Sequence, residues 1–308
     1  MKAEEPILIV GTGALAGLFA ARLAGAGRHV TVLGTWPAAL RALTEHGIRL
    51  LEADGRERSY PVTATGCPSQ AGLVRHALVL VKSWQTARAA EQLTACLAPD
   101  GLALTLQNGA GNRKALVQAL GATRVAAGVT TSGAHLLAPG VVRAAGSGVV
   151  SLGAHPRLGP LWDALRLAGF VLESSADVEA LLWEKIVINA AINPITALLN
   201  IPNGRLLEIP PARDLASGIA REAVAVAAAL GIHLPYQDPQ GAVEEVVRLT
   251  ASNRSSMLQD IQRGAPTEID AICGAIVRTG EQTGVATPLN RTLWQLVRAR
   301  VEATLESS

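Results

Sequence analysis

The chain has 308 residues, 49% of them hydrophobic, with 27 Lys and Arg against 25 Asp and Glu and a formal net charge of +2. That is enough for two domains and a substantial core. Scattered cations and only 3% aromatics leave neither a basic stripe nor a stacking platform, so no nucleic-acid partner is expected. Cys67, Cys96 and Cys273 lie far apart with no CxxC pair. A disulfide framework or a metal site is therefore not expected, and a reducing, cytoplasmic setting fits. The stretch Met1 to Pro6 is too acidic for the basic region of a secretory signal.

In chain order, residues 7–10 form a short apolar strand, followed by Gly11-Thr12-Gly13-Ala14-Leu15-Ala16 and an Ala/Leu-rich helix to residue 24. Residues 29–33 read as a second strand. Residues 48–51 and 58–62, separated by Asp54-Gly55, read as a hairpin or an irregular pair. A strand at 78–81 leads into Lys82 and a helix over 87–97. Another at 102–106 leads into Gln107-Asn108-Gly109, and a third covers 125–131, with short extended pieces near 140–144 and 149–152. Strands alternating with helices predict an α/β fold with a doubly wound, mainly parallel sheet. Beyond about residue 177 strand signals fade, and helices are predicted over 178–191, 211–230, 243–262 and 268–282. We therefore place a dinucleotide-binding domain at 1–176 and a helical substrate domain at 177–308, with a cleft between them. Residues 186–204 carry no charge and approach bilayer-spanning length, but they hold Asn189, Asn193, Pro194, Asn200, Pro202 and Asn203. Inserting those amides and prolines is expensive, so a buried helix followed by a turn is expected, without a membrane partner.

Gly11-x-Gly13-x-x-Ala16 has the spacing of a dinucleotide fingerprint. The first glycine makes the turn, the second admits a pyrophosphate to the backbone, and the small third residue lets helix and strand pack closely. An acidic residue about 20 positions on would mark NAD and an Arg would mark NADP. The second strand ends in Leu33-Gly34-Thr35-Trp36, which has neither. Thr35 and Arg41 remain as candidates for a phosphate, and the preference stays open. Lys82 and Asn108 follow strands directly, and ligands of open α/β sheets bind at the carboxyl ends of strands. Thr267 reads as a helix N-cap with Asp270 in the capping-box place, which makes Glu268 a carboxylate favoured by the helix dipole. Ser256 by itself reads as a helical surface hydroxyl.

The segment Trp183 to Pro194 is the most unusual. Lys185, Asn189 and Asn193 recur every four positions in apolar sequence. On a helix they advance only about 40° per step and share one face. A cation and two amides on an apolar helix need partners, and a polar small molecule would be one.

These motifs together resemble the ketopantoate reductase family (2-dehydropantoate 2-reductases). The matching pieces are Gly11 to Ala16, Val81-Lys82-Ser83-Trp84-Gln85-Thr86, Leu106-Gln107-Asn108-Gly109 and Gly128-Val129-Thr130-Thr131. They continue with Trp183-Glu184-Lys185, Asn189, Asn193-Pro194, Asn203-Gly204, Ser255 to Asp260 and Thr267-Glu268-Ile269-Asp270. The resemblance implies a Rossmann-type sheet followed by an all-helical C-terminal domain like that of 6-phosphogluconate dehydrogenase. It implies reduction of 2-dehydropantoate to (R)-pantoate with NADPH, NAD not being excluded, in pantothenate and coenzyme A synthesis. By motif position, Lys185 is the implied general acid. Asn108, Asn189, Asn193, Asn203 and Ser256 are the implied substrate-binding residues. Gly11, Thr12, Gly13, Ala14, Leu15, Ala16, Lys82, Asn108, Ala134 and Glu268 are implied around the cofactor. Thr35 stands where family members often carry an Arg for the 2′-phosphate. A paralogue acting on another 2-keto acid or related carbonyl compound, and a non-catalytic nucleotide-binding protein, are the alternatives. A homodimer is compatible with the sequence. A short-chain dehydrogenase is disfavoured because neither Tyr60 nor Tyr236 has a lysine four residues on.

Overall fold

The computed structural model describes residues 5–52, 54–146 and 148–305. Residues 1–4, part of the acidic N-terminal stretch, lie outside the described residues. The chain divides into two compact units. One comprises the chain up to Gln107 together with Asn112–Val178, and the other comprises Asn108–Gly111 and the chain from Glu179 onward.

The elements of the first unit are β1 (Ile7–Val10), α1 (Ala14–Gly25), β2 (Val30–Leu33), α2 (Pro37–His46), β3 (Ile48–Leu51), β4 (Glu57–Tyr60), β5 (Thr63–Thr65) and β6 (Val74–Val79). They continue with α3 (Thr86–Cys96), β7 (Leu97–Thr105), α4 (Asn112–Leu120), β8 (Val125–Thr130), β9 (Ala134–Ala138), β10 (Val141–Ala144), β11 (Val149–Gly153), α5 (Gly159–Leu167) and β12 (Val171–Ser175). Eight strands form one sheet in the order β12-β11-β8-β7-β6-β1-β2-β5, parallel throughout except for the β8–β11 pair. The chain passes from β1 to β2 on one side and returns to β6 on the other, so β1 is the switch point at which such sheets bind ligands.

β1 is Ile-Leu-Ile-Val with every residue buried. Ile7 and Ile9 join the core on one face with Leu18 and Phe19 of α1. Leu8 and Val10 join a separate cluster on the other face with Leu93 of α3 and Leu116 of α4. Alternation along a strand sends successive side chains to opposite faces, and helices on both faces explain why the strand reads as uniformly apolar.

A second sheet, in the order β4-β3-β10-β9, is an addition to the doubly wound plan. Its β3–β4 hairpin matches the paired 48–51 and 58–62 segments, but the joining of β3 to β10 in parallel register was not legible. It covers α1, where a Cβ on Gly17 would lie 2.6 Å from Val142 Cγ1.

The second unit contains α6 (Val178–Leu199), α7 (Arg205–Glu208), α8 (Pro210–Ala229), α9 (Pro239–Leu249), α10 (Ser256–Gln262), α11 (Cys273–Thr283) and α12 (Pro288–Leu305). Its core is built from Ile186, Val187, Ala190 and Ala191 of α6, the alanine-rich face of α8, Ile276 of α11 and Leu293 and Val297 of α12. Among the described residues no helix is long and apolar enough to cross a membrane.

Three helix predictions are corrected. The helix expected to stop at 191 runs through Pro194 to Leu199. Proline removes one backbone donor, but Ile192, Asn193, Pro194 and Ile195 are all buried, and packing outweighs the local defect. It ends at Asn200, whose φ of 54° is a left-handed terminator that Asn tolerates. The helix expected over 243–262 is two helices. Between them the carbonyls of Ala251 and Asn253 accept the amides of Gly204 and Asn203 at 3.0 and 2.9 Å, which takes them out of any helical ladder. The helix expected from 268 begins at Cys273. Thr267 is therefore not an N-cap, Asp270 closes no capping box, and Glu268 lies in a turn rather than in a helix's first coil.

Candidate active site

In the first unit the fingerprint sits at the end of β1. The Gly11 amide donates to Leu33 O at 2.8 Å, and the Leu80 amide donates to Val10 O at 2.9 Å, so the ends of β2 and β6 flank it. Gly11 has φ 130°, and a Cβ there would sit 3.0 Å from Leu80 O, so both conformation and space demand glycine. Gly13 is exposed, and a Cβ on it would meet nothing within 4 Å. Gly13 is also the N-cap of α1. No side chain caps that terminus, and its first turn carries no acidic residue. Ala16 is buried at 1% exposure in the sheet core, while Thr12, Ala14 and Leu15 are half-buried. An open glycine, uncapped amides and a positive helix end form a cradle that fits a pyrophosphate.

The loop after β6 is held by a buried polar network. Gln107 Nε2 donates to Val81 O at 3.0 Å and to Thr86 Oγ1 at 2.7 Å. Thr105 Oγ1 donates to Gln107 Oε1 at 2.9 Å, and Thr86 Oγ1 to Asn112 Oδ1 at 2.8 Å. Lys82, half-buried in this loop, accepts from the Gln85 amide through its carbonyl at 2.8 Å. Ala134 opens β9 and pairs with Ala144. At the end of β2, Thr35 Oγ1 accepts a hydrogen bond of 3.1 Å from Arg88 of α3.

In the second unit Lys185, Asn189 and Asn193 lie on α6. Asn193 is buried, and Lys185 and Asn189 are half-buried. Lys185 keeps some surface, yet desolvation pushes its pKa down from 10.5 to about 8, partly opposed by the charge of Glu268. Burial likewise raises the carboxyl of Glu184, the residue before it. Glu268 is 6% exposed in a turn anchored by Ile269 and Ile272, both in the core. The turn also receives the Ala110 amide on Ala271 O at 2.9 Å. That bond explains why Asn108–Gly111 packs with this unit although it follows β7. Gly109, with φ 84°, lies so close that a Cβ would be 2.6 Å from Ala271 Cβ.

Asn203 is buried. Its Nδ2 donates to Thr250 Oγ1 at 3.0 Å, while its buried Oδ1 has no hydrogen-bond partner among the described residues. Gly204 allows the close approach of Ala251, which a Cβ would meet at 2.8 Å. Ser256 is exposed at the first residue of α10. Its neighbour Ser255 is the N-cap, accepting from the Leu258 amide at 3.2 Å and bonded to Thr196 of α6 at 2.8 Å.

The model described as "Ketopantoate reductase PanE/ApbA" matches residues 7–157, and that described as "Ketopantoate reductase PanE/ApbA C terminal" matches 177–301. A curated 2-dehydropantoate 2-reductase of Halobacterium salinarum is 37% identical over 95% of this chain and 97% of its own. The chain belongs to the ketopantoate reductase family. Among solved structures, a PanE/ApbA family ketopantoate reductase from Ralstonia eutropha JMP134 is 32% identical with a TM-score of 0.91, covering 97% of this chain and 99% of that one. D-mandelate dehydrogenase, solved in a ternary structure with NADH and anilino(oxo)acetate, is 26% identical with a TM-score of 0.90 over the same shares.

Within this family member, Gly11 to Ala16, Lys82 and Ala134 belong to the first unit, and Lys185, Asn189, Asn193, Asn203, Ser256, Glu268 and Asn108 to the second. Gly11, Lys82 and Asn108 each follow a strand, where ligands of open α/β sheets bind. The ends at Gly11 and Lys82 share a unit, whereas Asn108 is grouped with the helical one. Arg88 was missed. Its only signal was a cation on the helix after the Lys82 loop, and nothing local pairs it with Thr35.

Proposed function

We propose that this protein is an NADPH-dependent 2-dehydropantoate 2-reductase that forms (R)-pantoate for pantothenate and coenzyme A synthesis in the cytoplasm, with Lys185 as general acid. The observation that carries the reading is Lys185 itself, a cation whose pKa is brought to about 8 on a helix face shared with Asn189 and Asn193. An acid titrating near the working pH is protonated when needed and still gives up its proton readily. NADPH, when bound, supplies the hydride for the ketone carbon.

The chain's own residues do the rest. The Gly11–Ala16 turn and the open end of α1 receive the pyrophosphate, with Lys82 and Ala134 near the nucleotide. Lys185 stabilises the negative charge growing on the ketone oxygen and then donates its proton from Nζ. Glu268 keeps Lys185 protonated, since its charge raises the lysine pKa. Asn108, Asn189, Asn193 and Ser256 offer donors and acceptors to a carboxylate and a carbonyl. The unpartnered Oδ1 of Asn203 suits a substrate hydroxyl, which ketopantoate has and simple keto acids lack.

A second reading is favoured by one observation. The match to D-mandelate dehydrogenase with NADH and an arylamino oxoacid supports a reductase of another 2-keto acid. Fold likeness alone does not choose between substrates. The deciding assay follows NADPH and NADH oxidation with ketopantoate and with aryl and branched 2-keto acids. Turnover of ketopantoate that is lost in Lys185→Ala, with cofactor binding retained, supports the first reading. Turnover of the other acids alone supports the second. Cofactor binding with no turnover of any carbonyl compound indicates a non-catalytic protein, and full activity in Lys185→Ala overturns the proton-donor assignment. Sedimentation of the same preparation tests for a homodimer.

A further inference from the structure

The end of β2 is where a dinucleotide site reads the adenine ribose: a carboxylate there takes the diol of NAD, and a guanidinium takes the 2′-phosphate of NADP. In this chain the residues from Leu33 to Ala38 carry no charge. Leu33 lies against the fingerprint, receiving the Gly11 amide at 2.8 Å. Gly34 packs against Thr12, where a Cβ would stand 2.4 Å from Thr12 Cγ2. Thr35 follows, exposed. Its hydroxyl is reached by the guanidinium of Arg88, which stands 53 positions further on. Arg88 is exposed and forms no ion pair among the described residues. The next helix, α2, has no acidic residue in its first turn and no side-chain cap.

We propose that Arg88, reaching from α3 to Thr35, is the residue that recognises the 2′-phosphate in this chain. The proposal rests on the NADPH reading above. A guanidinium has five N–H donors in a fixed fork suited to a phosphate, and the bond to Thr35 uses one of them. Thr35 accepts from Arg88, so its own hydroxyl proton is available to a phosphate oxygen. The charge that is missing from the strand end in the sequence is thus delivered from a different helix. Among the described residues no carboxylate pairs with it.

The test compares two ligands that differ only in the phosphate, adenosine 2′,5′-bisphosphate and adenosine 5′-monophosphate, by calorimetry on the full chain. The unmodified protein should bind the bisphosphate more tightly. Arg88→Ala should weaken the bisphosphate roughly 10- to 100-fold, the factor for one charge-assisted hydrogen-bonded pair, and leave the monophosphate within about 2-fold. Arg88→Lys, which keeps the charge without the fork, should fall between. Unchanged monophosphate affinity also reports that the variant is folded. If the unmodified protein does not favour the bisphosphate, the NADPH reading and this proposal fall together. If it does and Arg88→Ala keeps the full preference, only the Arg88 assignment is overturned, and loss of the preference in Arg41→Ala instead would move the role to α2. Equal weakening of both ligands in Arg88→Ala also overturns it.

Discussion

On the proposed function, the two units contribute by opposite means. The first offers a ligand its backbone. Gly11 is forced by a φ of 130°, Gly13 leaves open space, and α1 presents amides that no side chain caps. The second offers side chains on α6 and in the turns packed with it, and its glycines serve assembly: Gly109 and Gly204 let backbones meet where a Cβ would come within 3 Å of Ala271 and Ala251. A backbone site tolerates most side-chain changes and fails on adding a methyl group. A side-chain site fails on losing one functional group.

The sharpest break should come at Lys185. Lys185→Ala is expected to lower turnover about 10²- to 10⁴-fold, the usual contribution of a positioned acid, with NADPH affinity within about 2-fold in a fluorescence titration. Two glycine variants separate the units next. Gly109→Ala combines a left-handed φ with a clash against backbone and should destabilise the protein by about 2–4 kcal/mol, read as an earlier denaturant midpoint. Gly13→Ala, with φ −82°, should fold normally and lose roughly 10-fold in nucleotide affinity as its methyl group enters the phosphate approach. If Gly13→Ala is the unstable one, the contrast between the units is wrong.

Smaller effects refine the side-chain half. Asn203→Leu should raise the KM for ketopantoate roughly 5- to 10-fold while changing little for a 2-keto acid without a hydroxyl. With Lys185 as the proposed acid, kcat/KM for ketone reduction should fall as pH rises through about 8. Glu268→Gln removes a charge that raises this pKa, so the fall should move to lower pH. The stability effect has a definite sign. The folded pKa, about 8, lies below the ordinary 10.5, so between these values the unfolded chain binds more protons. The penalty for burying the cation is present in full below about pH 8 and relieved as pH rises toward 10.5. The stability advantage of Lys185→Met should therefore shrink from pH 7.5 to 10 in paired urea titrations.

Much of the plan was legible because it is written in local patterns. The strand-glycine-helix start, the wholly apolar strands and the three-residue ridge of α6 follow from periodicities of two and 3.6. Legibility failed where packing overrode local preference. Pro194 does not stop α6, Thr267 caps nothing, and the chain leaves the helix after Leu249, where the carbonyls of Ala251 and Asn253 accept the amides of Gly204 and Asn203. The second sheet joins β3 to β10 across a long stretch of chain, and no local signal specifies such a pairing.

By itself the sequence determined which residues can bear charge, turn sharply or share a helix face, because those are properties of a residue and its near neighbours. It therefore named Lys185, Asn189, Asn193 and the fingerprint. Tertiary structure alone decided what surrounds them. Burial lowers the pKa of Lys185 and Glu268 opposes it, the Ala271 carbonyl draws Asn108–Gly111 to the helical unit, and Arg88 reaches Thr35. Desolvation and partnership depend on distances in space, and folding brings together residues that the chain keeps far apart.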